Sequence, residues 1–114
     1  MGGFLSPRDI DGHGTHTLSM TVANFVENAT TTVYAEGIAK GGAPLAIVAA
    51  YKVCWLECKD ADILAAFDDG VHDRVDVFFA SLGSNPPLSD YFQKAVAIRA
   101  FHAVQRGKVV ICSA

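Results

Sequence analysis

Three short apolar runs recur along the chain and constrain its fold more than any other feature. They span residues 46–53, 75–82 and 108–112. The first run shows no alternation of apolar and polar residues, which is typical of a strand buried on both faces in a parallel sheet. Parallel neighbours need long crossover connections, so helices are expected between the runs. The pattern predicts an α/β fold with a mostly parallel sheet and flanking helices.

The segments between these runs have helical features. In residues 61–73 the apolar side chains recur at helical spacing, and Asp60 is a plausible N-cap. Residues 90–106 form the next predicted helix, which Gly107 should end. Residues 27–42 are rich in threonine, glycine and small residues, so an irregular connection is predicted there. The predicted buried side chains of the helix at residues 61–73 are Ile63, Leu64, Phe67 and Val71. Those of the helix at residues 90–106 are Ala97, Phe101 and Val104.

Composition narrows the class of protein. The chain has 114 residues, 51% of them hydrophobic, and a net charge of −3. This length allows one domain at most, and the negative charge argues against a nucleic-acid partner. No apolar run approaches the length of a membrane span. The first six residues lack a basic region, so no secretory signal is predicted within this chain.

The cysteines and one asparagine carry signals that depend on the compartment. Cys54 and Cys58 are close enough to form a small disulfide loop in an oxidising compartment, which would leave Cys112 as a buried thiol. Asn28 opens the triplet Asn-Ala-Thr, an acceptor for N-glycosylation if the protein is secreted.

The segment Asp11-Gly12-His13-Gly14-Thr15-His16-Thr17 carries the strongest chemical signal. It should be a loop that turns into a helix, with His13 at or just before the first turn. A helix start carries partial positive charge, which favours a neutral imidazole, and the flanking glycines allow a close approach. His13 is therefore a candidate general base.

Two other interpretations of this segment stay open. A histidine in a glycine-rich loop is often only a capping or surface residue. A metal site could use Asp9, Asp11, His13 and His16, but no further ligand of fixed spacing follows. An EF-hand is excluded because the glycine falls at the fourth position of the loop and the closing glutamate is missing.

Several segments, taken together and in order, resemble the plant subtilisin-like serine proteases (subtilases). The resemblance covers nearly the whole chain and implies a secreted Ser-His-Asp endopeptidase with a three-layer α/β catalytic domain. Residues 1–114 would be a partial subtilisin-like peptidase domain. It implies peptide or protein substrates, an extracellular or apoplastic location, no cofactor and no metal. The segments that carry it are residues 6–17, 41–44, 50–55, 62–68, 75–77, 81–83 and 100–104.

The resemblance also assigns roles to particular residues. His13 matches the catalytic histidine, which takes the proton of the serine hydroxyl and returns it to the leaving amine. His16 matches the second histidine of the motif, which is not the base. Neither Asp9 nor Asp11 matches the triad acid, because the family's aspartate lies on a strand further upstream. Cys54 and Cys58 match a cysteine pair, and Ser81, Leu82 and Gly83 match the edge segment whose backbone pairs with the substrate.

Other parts of the family's catalytic machinery have no counterpart within residues 1–114. The aspartate-bearing strand would precede the chain, and the Gly-Asn of the oxyanion hole and the nucleophilic serine would follow it. The chain alone is therefore expected to be inactive. In the family, the aspartate-bearing strand lies between the strands that match residues 46–53 and 75–82, so these two should pair non-natively or leave a gap. Ala23, Arg74, Ser84 and Arg99 stand where the family commonly has glycine.

A second hypothesis is a non-catalytic fragment that binds peptides or proteases through Ser81, Leu82 and Gly83, or a pseudogene product. The oligomeric state is not indicated by the sequence.

Overall fold

The computed structural model describes residues 6–32, 34–83 and 94–113. The chain divides into two compact units. Asp9–Val48 form one, called here the histidine unit, and the remaining described residues form the other, called the α/β unit. The described elements are α1 His13–Val22, β1 Val26–Thr31, β2 Tyr34–Ala39, α2 Asp60–His72, β3 Val77–Ala80, α3 Ala95–Gln105 and β4 Val109–Cys112.

The histidine unit contains a hairpin where an irregular connection was predicted, so that prediction is wrong. β1 and β2 pair antiparallel, with Val26 opposite Ala39 and Thr31 opposite Tyr34. The register shifts twice between these pairs, and nearly every strand residue is exposed. The β-branched threonines favour extended backbone. The hairpin sequence shows no alternation of apolar and polar residues, because neither face of the hairpin is buried.

The predicted buried strand at residues 46–53 is also wrong. The structure has no strand over these residues, and Ile47 is fully exposed. A strand exists only where a second backbone completes its hydrogen-bond ladder, and within the described ranges none lies beside this segment. An apolar run marks a segment that could be buried in a sheet, but it does not supply the neighbouring strand.

The α/β unit contains the core of the described chain. β3 and β4 are parallel neighbours in the register Val77 to Val109 through Ala80 to Cys112, in the places where two of the apolar runs were predicted to form strands. α2 and α3 pack against each other, and α3 also packs on β4. An α/β arrangement is therefore present in this unit, while the single, mostly parallel sheet in three layers stays a prediction. The buried cluster consists of Ile63, Phe67, Phe78 and Ala103.

One aromatic pair joins helix α2 to strand β3. The rings of Phe67 and Phe78 are stacked, with their centroids 5.0 Å apart and their planes 13° from parallel. Gly70 makes room for this arrangement, because a Cβ at that position would lie 2.6 Å from the Phe78 ring. Buried aromatic surface of this kind contributes the largest hydrophobic stabilisation per residue.

The helix boundaries and faces differ in part from prediction. α2 begins at Asp60, and Lys59 with extended backbone is its N-cap, so the assignment of Asp60 as the cap is wrong. Asp60 instead lies in the first turn, where a negative charge interacts favourably with the helix dipole. Ile63 and Phe67 of the predicted α2 stripe are buried, and Leu64 and Val71 are half-buried.

The predicted buried stripe of α3 is wrong. Phe101 and Val104 are 60% and 56% exposed, and Ala97 is half-buried, whereas Ala95 and Ala103 are buried. Small side chains at these positions let the helix approach its neighbours closely. Arg99, between them on the same face, bonds Asp68 of α2 through Nη2 at 3.2 Å. Residues 90–93 of the predicted helix lie outside the described residues.

Helices α2 and α3 end in the same backbone motif. The amides of Gly107 and Lys108 donate to Val104 and Ala103 at 2.9 and 3.1 Å, and Gly107 has a φ of 76°. This left-handed cap is the helix end that Gly107 predicts. α2 ends in the same way, with amides of Arg74 and Val75 donating to Val71 and Gly70 at 3.2 and 3.0 Å. Here the left-handed residue is Arg74, whose φ is 62°.

The prediction that Cys112 is buried is wrong. It lies at the end of β4 and is exposed, because β3 is the only strand paired with β4 in the described part of the chain. Partial desolvation of the thiol still raises the pKa of Cys112.

No helix among the described residues is long and apolar enough to cross a membrane.

Candidate active site

Asp9 fixes the beginning of the helix that carries His13. One carboxylate oxygen accepts the amide of Gly12 at 3.0 Å, and the other accepts the amide and hydroxyl of Thr15 at 2.7 and 2.8 Å. The amides at a helix start have no partners within the helix, so a carboxylate there stabilises them by hydrogen bonding and charge. The bonds from Thr15 and Gly12 lower the pKa of Asp9 from 3.8 to about 2.

Gly12 makes the turn between this carboxylate and the helix. It is the N-cap residue of α1 and has a φ of 91°, a left-handed conformation that glycine adopts without strain. His13 follows as the first helical residue, and the amide of His16 donates to the Gly12 carbonyl at 2.9 Å. The glycine before His13 thus has a defined structural task.

The other end of α1 is held by a segment from beyond the hairpin. The amides of Gly41, Gly42 and Ala43 donate to the carbonyls of Ala23, Met20 and Thr21 at 2.8, 3.0 and 2.8 Å. These carbonyls would otherwise lack partners at the helix C-terminus. α1 has no fully buried residue, so hydrogen bonds at its two ends hold it in place more than packing does.

The His13 side chain is exposed, as is that of His16. Within the described part of the chain no side chain bonds to the His13 ring, and Asp9 is engaged at the helix start instead. Among the same residues, no three or more His, Cys, Asp or Glu side chains are grouped so that they could hold a metal ion. The structure therefore adds no support to a metal site at Asp9, Asp11, His13 and His16.

The substrate-edge candidates directly follow β3. Ser81 and Leu82 are half-buried and Gly83 is exposed. Ser113, just past the end of β4, donates its amide to the Ala80 carbonyl at 3.3 Å and its hydroxyl to the Leu82 carbonyl at 2.6 Å. The end of β4 thereby fixes the backbone of the segment after β3. His13 belongs to the histidine unit and these residues to the α/β unit.

Lys52 holds the chain just before it enters the histidine unit. Its ammonium group donates to the carbonyls of Ser6 and Arg8 at 3.1 and 2.7 Å, and it lies 5.3 Å from the centroid of the Trp55 ring. The Arg8 carbonyl immediately precedes Asp9. Sequence reasoning missed the roles of Asp9, Lys52 and Ser113. Only the acidic residue shortly before a predicted helix start was a usable signal.

Cys54 and Cys58 are joined by a disulfide in the structure, and their backbones form an isolated antiparallel bridge. The loop between them exposes Leu56 almost fully and Trp55 by 42%. Asn28 lies on β1 of the hairpin with its side chain exposed.

Comparisons with known proteins identify the class to which these features belong. The model of the subtilase family matches residues 5–114. Subtilisin-like serine-protease S of Lotus japonicus is 50% identical over 112 residues, which covers 97% of this chain and 15% of that protein. In Arabidopsis thaliana, subtilisin-like protease SBT5.3 is 52% identical over 116 residues, covering 97% of this chain and 15% of that protein. Subtilisin-like protease SBT1.7 of the same plant is 54% identical over 110 residues, covering 96% of this chain and 14% of that protein.

These relatives are all proteases by name. The chain belongs to the subtilase family, and the resemblance found in the sequence is confirmed. The chain spans about 15% of the length of these relatives.

Proposed function

We propose that this chain forms part of the catalytic domain of a secreted serine endopeptidase, with His13 as its general base. The observation that carries the proposal is the placement of His13 as the first residue of α1, fixed on one side by the Asp9 bonds and on the other by the amides of Gly41, Gly42 and Ala43. A general base must be held in one place to reach the proton that it abstracts. The exposed ring leaves room for a serine hydroxyl and a substrate.

In this mechanism the His13 imidazole accepts the proton of the nucleophilic serine as it attacks the scissile carbonyl, and then donates it to the leaving amine. Asp9 does not act as the triad acid, since both of its oxygens are bonded to the start of α1. Its task is to position the helix. An acid from elsewhere in a longer protein would orient the imidazole.

The substrate peptide would bind along the segment that follows β3. Backbone groups of successive residues in an extended segment point to opposite sides, so the residues at i and i+2 share a side. Ser113 bonds the carbonyls of Ala80 and Leu82, and this directs the backbone groups of Ser81 and Gly83 to the other side. Ser81 and Gly83 would therefore pair with the peptide as an added strand.

A chimera tests the assignment of His13. Residues 5–114 would replace the matching segment of SBT1.7, and hydrolysis of a quenched fluorescent peptide would be measured. We expect activity from the chimera, a loss on the order of 10⁶-fold in kcat for His13→Ala, as when a subtilisin triad loses its base, and near-normal activity for His16→Ala. Equal losses from both variants, with both chimeras folded, would refute the role of His13.

The chain alone should hydrolyse nothing and should not react with a fluorophosphonate, because no activated serine is expected within it. The same edge supports the second hypothesis, in which the chain binds peptides without cleaving them. Peptide binding by a folded chimera that shows neither turnover nor fluorophosphonate labelling would favour that hypothesis.

A further inference from the structure

The acceptor triplet at Asn28 lies at an irregular point of the hairpin. The register shifts between the pair Val26 and Ala39 and the pair Ala29 and Gly37, and Asn28 lies within that shift. Its φ is 56°, in the left-handed region that asparagine tolerates better than most residues. Its side chain is exposed, and Thr30, which completes the triplet, is exposed as well.

Exposure and backbone geometry allow the folded hairpin to carry a bulky group at this position. Because both faces of this strand are exposed to solvent, a group attached to a side chain there can extend into water without displacing a packed neighbour. Asn24 and Asn85 are not followed by serine or threonine two residues later, so Asn28 begins the sole acceptor triplet of the sequence.

We propose that Asn28 is a site of N-linked glycosylation. In the reaction, the carboxamide Nδ2 of Asn28 forms a bond to the anomeric carbon of an oligosaccharide carried on a lipid diphosphate. The bond from that carbon to the diphosphate oxygen breaks, the lipid diphosphate leaves as an anion, and Nδ2 gives one proton to a base of the transferase. No oxidant or reductant takes part.

The timing of the reaction follows from the contacts of Thr30. Its hydroxyl donates to the Tyr34 carbonyl at 3.3 Å across the hairpin. A transferase needs this hydroxyl as well as the Asn28 amide, so transfer should be faster before the hairpin closes. The closed hairpin then accommodates the glycan, because Asn28 points into solvent.

The glycan would be attached to a surface that exposes several apolar side chains to solvent. Val26, Tyr34 and Ile38 of the hairpin are 55%, 77% and 64% exposed. A two-stranded ribbon with apolar side chains on open faces is marginally stable and prone to association. A hydrated oligosaccharide on the same ribbon reduces that association.

The proposal rests on the proposed function only for the secretory route, and the test supplies that route. The full chain is translated behind a cleavable secretory leader with endoplasmic-reticulum microsomes, and its mass is compared before and after treatment with peptide N-glycosidase. We expect a gain of one oligosaccharide, removed by the glycosidase with conversion of Asn28 to aspartate. Transfer to the folded, leaderless chain in detergent-opened microsomes should be much weaker.

Four variants locate the modification. Asn28→Asp keeps a residue that tolerates the left-handed region but removes the carboxamide, and Thr30→Ala removes the hydroxyl, so both should lose the glycan. Thr30→Ser keeps the hydroxyl, and Asn24→Asp changes an asparagine outside the triplet, so both should retain it. An unmodified chain, in microsomes that glycosylate a reporter in the same reaction, would overturn the proposal. A glycan that survives Asn28→Asp would also overturn it. Neither result touches the assignment of His13.

Discussion

The single residue with the greatest influence on the candidate site is Asp9, because its carboxylate completes the first turn of α1. Its pKa falls from 3.8 to about 2, chiefly through the amide of Thr15 and then that of Gly12. A lowered pKa in the folded chain means that the ionised form is favoured by folding. The stabilisation is fully present above pH 3.8 and is lost as the pH falls towards 2.

This predicts the titration of Asp9. Carbon-13 NMR of the Asp9 carboxyl should give a midpoint near pH 2, and Thr15→Val, which removes one donor, should move it upwards. The stability difference between the unchanged chain and Asp9→Asn should be constant above about pH 4 and shrink between pH 4 and 2. Asp11→Asn leaves the bonds to Asp9 in place and is the control for loss of one charge. A midpoint near 3.8 in the unchanged chain would contradict this account.

Arg74 has a backbone conformation that is poorly suited to its side chain. It has a φ of 62° in the position after the α2 cap, where Gly107 stands in the matching motif of α3. Arg74→Gly should stabilise the chain by about 0.5–1 kcal/mol, since relief of left-handed strain exceeds the added freedom of the unfolded chain. Gly107→Ala should destabilise it by about 1 kcal/mol. Urea unfolding measures both, and destabilisation by Arg74→Gly would be inconsistent with a strained cap.

Among the elements, α1 is unusual because its C-terminus depends on a distant segment. A Cβ on Gly41 would overlap the backbone of Val22 and Ala23, whereas one on Gly42 would make an ordinary contact, 3.6 Å from the Thr21 carbonyl oxygen. The Gly41 variant must therefore displace the amides that cap the helix.

We expect Gly41→Ala to destabilise the histidine unit by about 1–3 kcal/mol and to speed amide exchange at residues 41–43. Gly42→Ala should change the stability by less than about 0.5 kcal/mol. Circular dichroism and NMR-detected exchange would follow both variants. If they behaved alike, the close packing of Gly41 on α1 could not be what holds the helix end.

Local patterns predicted some elements well because the cause of those elements is local. The helical spacing of Ile63 and Phe67 and the cap at Gly107 follow from nearby residues. The apolar runs gave β3 and β4. The prediction of a strand at residues 46–53 was wrong because a strand needs a partner strand, which a local pattern cannot identify. The hairpin was not predicted because its sequence shows no division between buried and exposed side chains. The flanking glycines made His13 the candidate base, an assignment that stays a prediction. Lys52 and Ser113 gave no such local signal, because they act through contacts 44 and 31 residues away in sequence.

At the scale of the whole molecule, burial is distributed unevenly between the two units. The buried apolar side chains of the described residues, Ile63, Phe67, Phe78, Ala95 and Ala103, all belong to the α/β unit. Among the described residues of the histidine unit, only Gly41 is buried. Resistance to local unfolding follows buried apolar contacts, so the two units should differ in stability.

Hydrogen exchange measured by mass spectrometry should show this difference. Peptides from α2, α3, β3 and β4 should exchange more slowly than peptides from α1, β1 and β2. Phe67→Ala should remove most of the protection in the α/β unit, because it deletes the stacked ring at the centre of the cluster and costs about 3–5 kcal/mol. Equal protection of both sets of peptides would show that burial in the described chain does not set its stability.

The hydrogen bond from the Gly41 amide to the Ala23 carbonyl has a consequence for how the sequence can change over time. It joins the two ends of residues 24–40, so the hairpin leaves the end of α1 and returns to the same place. Insertions or deletions within a closed excursion of this kind cost little loop entropy and leave its anchor points unmoved. The hairpin can therefore vary in length and surface chemistry from one homologue to the next, while the helix that presents His13 keeps its position.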